Sequence, residues 1–266
     1  MTTPVAPSDP PRRQAKGTTG PFAYTDEGEG PVLLAVHGLP GSVRDYRWLA
    51  AALSRSVRLV RLDLPGFGET PLATGPGPGI DARGAFVAAA LETLGIERCV
   101  LVGHSMGGAV ALSAAVQAPA RVAALALLAS IGLRPHVMFR RLVGRGVLAR
   151  AVDLPLLRTP TLALLKVAFR ATGFPPQTTP AEVAHTMRCV AAVDFEVQRR
   201  NTSRLTLPTL TAWAEDDPFI EKSVLEEHAA LLPAGPRLSW REGGHNVQKS
   251  QAVEIAAALV TLANAQ

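Results

Sequence analysis

The sequence predicts an α/β fold, a mostly parallel sheet flanked by helices with one inserted helical lid. Two observations carry the prediction. Short runs rich in Val and Leu recur along the chain, each followed by a loop with Gly or Pro and then by a longer Ala-rich stretch of helical spacing. Strands joined through helices pair in parallel and are covered on both faces, so they read as continuous apolar runs. The chain has 266 residues, 47% of them hydrophobic, which supports one sizeable core with at most one inserted lobe.

Residues 1–20, MTTPVAPSDPPRRQAKGTTG, are polar and proline-rich and read as a flexible tail. The Arg12 and Arg13 pair is not followed by the apolar stretch of a secretion signal. Val32 to Val36, Val57 to Leu62, Cys99 to Val102, Val122 to Leu128 and Leu207 to Trp213 are the expected buried strands. Helices are expected at Val43 to Leu53, Ala82 to Leu94 and Met106 to Gln117. The alternation breaks between Leu133 and Arg204, where prolines occur at 135, 155, 160, 175, 176 and 180. One helix there opens at Thr179, with Pro180 in its first turn and Glu182 placed to complete a capping box. After the break come a helix near Glu221 to Leu231, a strand at Arg237 to Trp240 and a closing helix from Val247 to Leu262. The expected organisation is therefore a tail (1–20), a core in two pieces (21–132 and 205–266) and a lid (133–204).

Composition removes several function classes. The formal charge of +5 comes from arginines scattered through the chain with few aromatics among them, so no nucleic-acid partner is expected. Cys99 and Cys189 are far apart and lack metal-ligand spacing, so neither a disulfide framework nor a metal site is expected, and a reducing cytoplasm fits. The longest apolar run, Val122 to Ile131, is about half a membrane span. No cofactor is implied, the partner is a small molecule, and the oligomeric state is left open.

The chemistry begins at LVGHSMGGAV, residues 101–110, where Ser105 lies in a G-x-S-x-G pattern at Gly103, Ser105 and Gly107. A nucleophilic serine needs a sharp turn between strand and helix, and flanking glycines remove side chains that would clash there. The pattern here follows an expected strand and opens an expected helix. A helix-capping serine would not require glycine on both sides. His104 reads as structural or pocket-lining.

On these residues, together with VHGLPGS (36–42), LDLPGFGET (62–70), AWAEDDPF (212–219) and REGGHNVQ (241–248), the chain resembles the α/β-hydrolase superfamily from about Pro21 onward. It is closest in pattern to lid-bearing, esterase-like members with a serine nucleophile. The resemblance implies an oxyanion hole built from the backbone N–H groups of Leu39 and Met106. It assigns His37 to orienting the loop, and Asp63 and Gly66 to shaping another.

Serine needs a base, and of six histidines His245 stands on a glycine-rich loop between the last short strand and the last helix, where the family places its histidine. The base needs a carboxylate. Glu215, Asp216 and Asp217 all follow the Leu207 to Trp213 strand; the family's Gly-x-x-Asp, with Ala214 in the glycine position, selects Asp217, with Asp216 as the runner-up. His136 and His185 lie in the expected lid, and His228 reads as a surface residue.

Ser105, His245 and Asp217 imply a serine hydrolase that cleaves a carboxylic ester through an acyl-enzyme. Carbon–carbon bond hydrolases, thioesterases and perhydrolases use the same triad and stay open, as does a catalytically silent ligand-binding protein on the same fold. A serine argues against dehalogenase and epoxide hydrolase chemistry, whose nucleophile in this superfamily is aspartate. Met138, Phe139, Leu164 and Phe169 are apolar lid residues that could line a pocket or form the lid's own core.

Overall fold

The computed structural model describes residues 7–53, 56–75, 77–141, 145–171 and 178–266. Its strands are β1 (Arg13–Gly17), β2 (Gly20–Glu27), β3 (Val32–Val36), β4 (Arg58–Leu62), β5 (Cys99–His104), β6 (Val122–Leu128), β7 (Thr209–Ala214) and β8 (Arg237–Trp240). They form one sheet in the order β1-β2-β4-β3-β5-β6-β7-β8. From β4 to β8 every neighbouring pair is parallel. Only β1 with β2 and β2 with β4 run antiparallel.

Side chains alternate across a strand, and the two faces collect different helices. Leu34, Val36 and Leu101 pack in one cluster with Phe86, Val87, Val110 and Ala114, residues of α2 (Ile80–Thr93) and α3 (Met106–Gln117). Leu33, Ala35, Val100 and Val102 pack in another with Leu49, Ile255 and Leu259, from α1 (Arg47–Leu53) and α11 (Ala252–Asn264). Both faces of β3 and β5 are thus covered, which is why their sequences are apolar throughout. Helix α3 is buried almost all round, as expected of a helix apolar on every side.

The expected flexible tail is corrected by the sheet itself. Arg13–Gly17 is β1, paired with β2 from Arg13 opposite Tyr24 to Gly17 opposite Gly20. Gly20, with φ of 128°, supplies the conformation that the tight reversal needs. Asp9 accepts a hydrogen bond from the buried Arg61 at 2.6 Å, and Arg12 reaches Asp63 and Glu69. Residues 1–6 lie outside the described residues.

Between β6 and β7 the chain forms α4 (Val137–Arg141), α5 (Arg145–Ala151), α6 (Pro155–Ala171), α7 (Pro180–Ala191) and α8 (Phe195–Arg204). Helices α5 to α7 share a small core of Ala149, Val152, Leu162, Leu165, Val183 and Met187. Helix α7 starts from a complete capping box: Thr179 accepts from the Glu182 N–H and Glu182 reaches back to the Thr179 N–H. After β7 come α9 (Lys222–Leu231) and, following β8, α10 (Val247–Ser250) and α11. The single closing helix expected from Val247 is thus two, separated at Gln251. His228, expected at the surface, is 3% exposed, with Nε2 3.0 Å from the Thr202 hydroxyl of α8.

Candidate active site

The carboxyl ends of β3, β5, β6 and β7 point toward one cavity of about 340 Å³, the position where open α/β sheets gather their functional loops. Ser105 sits between β5 and α3 with φ of 55° and ψ of −125°, a region sparsely used by residues with a side chain. The surrounding glycines explain how the turn closes. A Cβ on Gly107 would lie 2.3 Å from the His37 carbonyl oxygen, and one on Gly103 would lie 2.4 Å from the Gly107 carbonyl oxygen. The Ser105 N–H is held by the Leu128 carbonyl at 3.0 Å, which ties the turn to β6.

His245 Nε2 lies 2.9 Å from the Ser105 hydroxyl and His245 Nδ1 lies 2.7 Å from Asp217 Oδ2. The carboxylate cannot donate, so Nδ1 carries the proton and Nε2 accepts from Ser105. Asp217 is buried; its Oδ1 also accepts from the Phe219 and Ile220 N–H groups at 2.8 and 3.1 Å. Those bonds fix the carboxylate on the far side from His245. The other two acids are spent elsewhere: Asp216 accepts from the Gly244 N–H at 2.7 Å, and Glu215 pairs with Lys222 at 2.8 Å.

Leu39 and Met106 both line the cavity beside Ser105. Met106 heads α3, where an N–H has no partner within the helix. A Cβ on Gly38 would come within 3.1 Å of Ser105 Cβ, so the Leu39 loop runs against the serine. The Leu39–Pro40 peptide is cis. His37 anchors that loop, with Nδ1 donating to the Gly38 carbonyl at 2.6 Å and Nε2 accepting from the Leu64 N–H at 3.0 Å. Asp63 accepts from the Val43 and Glu69 N–H groups, bracing the next loop.

His104 is buried, and its Nε2 donates to the His245 carbonyl at 2.9 Å. Burial, helped by the nearby His245, drives its pKa down to about 3, so it stays neutral and braces the His245 loop without adding charge.

The cavity has two kinds of wall. Ile131, Met138, Phe139, Val190 and Phe219 make an apolar side, interrupted by His136, while Asp45, Arg47, Trp48, Gln248 and Lys249 make a polar one. Burial pushes the Asp45 carboxyl up to about 7, against a lowering hydrogen bond from Ser42. Of the four apolar residues singled out from the insertion, Met138 and Phe139 line the cavity. Leu164 is exposed and Phe169 packs against the α5–α7 core. The polar wall was not read from the sequence, though a signal existed: Asp45 to Trp48 come within six residues after the VHGLPGS motif, and Gln248 and Lys249 within four after His245. Among the described residues no group of three or more His, Cys, Asp or Glu side chains is arranged to hold a metal ion. Nor is any helix there long and apolar enough to cross a membrane.

A family model described as alpha/beta hydrolase fold matches residues 31–251. The chain belongs to the α/β-hydrolase fold family. Among relatives of this α/β-hydrolase, the dihydrolipoyllysine-residue acetyltransferase component of the acetoin cleaving system of Pseudomonas putida is 32% identical over 88% of this chain. The chain spans 63% of that protein's length. A 2-hydroxy-6-oxononadienedioate/2-hydroxy-6-oxononatrienedioate hydrolase of Paraburkholderia phymatum is 28% identical, covering 84% of this chain and 81% of that one. Among solved structures, a putative lipase from Acinetobacter baumannii AYE superposes with a TM-score of 0.76 at 20% identity, covering 96% of this chain and 93% of that one. At that identity the likeness speaks for the α/β-hydrolase fold alone.

Proposed function

We propose that this α/β-hydrolase is a serine hydrolase that cleaves a carboxylic ester of a small or medium apolar substrate. The observation that carries the reading is the hydrogen-bonded chain Ser105–His245–Asp217, opening on a cavity with an apolar wall. In the first half-reaction the Ser105 oxygen attacks the ester carbonyl while His245 Nε2 takes the hydroxyl proton, and Asp217 stabilises the imidazolium. The Leu39 and Met106 N–H groups hold the oxyanion. Collapse breaks the C–O bond, and His245 returns the proton to the departing alcohol. In the second, His245 deprotonates water as it attacks the acyl-enzyme, the acyl–oxygen bond to Ser105 breaks, and His245 returns the proton to the Ser105 oxygen, releasing the acid. Residues 133–204 act as the lid, since α4 and α7 supply Met138, Phe139 and Val190 to the apolar wall.

Ser105→Ala should lower turnover of p-nitrophenyl butyrate by at least about 10³-fold while the circular-dichroism spectrum stays unchanged. A fluorophosphonate should label the wild type and not the variant. A fully active Ser105→Ala protein would sink the assignment. The Paraburkholderia relative, named as a hydrolase of an oxo-dienedioate, favours carbon–carbon bond hydrolysis as the second reading. A panel of p-nitrophenyl esters, thioesters and ring-fission diketones separates the two by which class the purified protein turns over fastest.

A further inference from the structure

His136 is the polar interruption in the apolar wall, and it has no part in the proton relay described above. It sits just before α4, is 5% exposed, and lines the cavity with Met138, Phe139 and Phe219. Its Nδ1 lies 2.9 Å from the Phe219 carbonyl oxygen. A carbonyl only accepts, so Nδ1 must carry the hydrogen. In the neutral ring Nε2 is then a bare acceptor, and among the described residues nothing donates to it. The ring is held in place by its edge contact with Phe139, at 5.5 Å between centroids, as well as by the Phe219 bond.

Protonation does not turn this acceptor into a donor at ordinary pH. Burial drives the His136 pKa down to about 4, and the nearby His245 lowers it further, against the hydrogen bond to Phe219 and the carboxylates of Glu221 and Asp217. Glu221 is itself occupied by the Val137 N–H and by Arg140. The wall therefore presents one fixed lone pair among thioether, aliphatic and aromatic surface. A polar atom in such a wall is costly when a bound apolar group covers it without a hydrogen bond.

We infer that His136 is a specificity-determining residue whose Nε2 accepts a hydrogen bond from a hydroxyl group on the substrate, so that the preferred substrates are hydroxylated esters. The inference rests on the ester-hydrolase reading of the same cavity and names its substrate class. A site that hydrogen-bonds a substrate hydroxyl discriminates against the analogue that lacks it, because the site's acceptor is left unpaired.

The test compares matched esters with and without a hydroxyl: p-nitrophenyl butyrate against p-nitrophenyl 3-hydroxybutyrate, and butyl butyrate against 4-hydroxybutyl butyrate. The readout is the ratio of kcat/KM within each pair, not the absolute rate. The wild type should favour the hydroxylated member of one pair by about tenfold or more. His136→Phe, which keeps a ring and loses the acceptor, should bring that ratio to about one. His136→Gln, which offers an amide oxygen, should restore part of it. An unchanged ratio in His136→Phe, or no wild-type preference in either pair, overturns the inference. If no ester is turned over at all, the ester-hydrolase reading falls separately. Calorimetric binding of the same ligand pairs to Ser105→Ala, with and without His136→Phe, then decides: tighter binding of the hydroxylated ligand that is lost with the imidazole supports the role, and equal or absent binding overturns it.

Discussion

Two adjacent carboxylates, Asp216 and Asp217, do different work because one faces a histidine and the other a loop amide. Asp217→Asn should lower kcat for p-nitrophenyl butyrate by about 10³- to 10⁴-fold, since an amide in this seat presents a donor to Nδ1 and no longer stabilises the imidazolium. Asp216→Asn removes charge from an acceptor that binds the Gly244 N–H, and should stay within about tenfold of the wild type. Larger loss in the second variant would reassign the acid. The three residues that hydrogen-bond at the site were legible in the sequence because each marks a strand end beside glycine, proline or both: Ser105 after β5, Asp217 after β7, His245 after β8. His136 was not legible in the same way. Its tautomer is set by the Phe219 carbonyl, 83 residues away, and no local pattern carries that information. His228 misled for a similar reason, since VLEEHAALL looks solvent-facing until α8 covers it.

At the scale of elements, the β5-to-α3 turn depends on space that only glycine leaves. Gly107→Ala should destabilise by about 3 kcal/mol, because its Cβ would meet the carbonyl oxygens of Val36 and His37, backbone atoms that cannot rotate away. Gly146→Ala is the contrasting case. It lies in α5 with nothing within 4 Å of an added Cβ, and should stabilise by about 0.5 to 1 kcal/mol. Urea midpoints of the two variants check both signs; a Gly107→Ala protein as stable as the wild type would show that the turn can relax. The central strands were readable because burial on two faces demands unbroken apolar runs. The β1–β2 hairpin was not, because RQAKG contains one apolar residue among polar ones, and the pairing is supplied by β2 and by ion pairs with β4 and the loop after it.

For the whole molecule, the histidines set the response to acid. Folding holds five of the six neutral: burial lowers the pKa of His37, of His104 to about 3, and of His136, His185 and His228 each to about 4. In the unfolded chain they titrate near 6.5. As pH falls from about 6.5 toward 4, the unfolded state takes up protons that the folded state refuses, and stability falls. Asp45 acts in the opposite sense. Its raised pKa of about 7 makes the folded state the better proton acceptor between about 4 and 7, so its contribution to stability declines as pH rises. Five groups against one decide the sign. Urea unfolding should show a free energy that drops on going from pH 7 to pH 5, with net uptake of about two to four protons. A flat or rising profile would mean that these rings are hydrated and not sealed.

The loop from Asp217 to Glu221 serves two masters. Its front end seats the carboxylate that steers His245. Its back end grips the start of the insertion: the Phe219 carbonyl accepts from His136 and from the Met138 N–H, and Glu221 accepts from the Val137 N–H and Arg140. The start of the insertion and the Asp217–His245 contact are therefore riveted to the same short span of chain. Any shift of α4 is thus transmitted to the backbone beside Asp217, and any change in the seat of Asp217 to the apolar wall, so neither can be reshaped without the other.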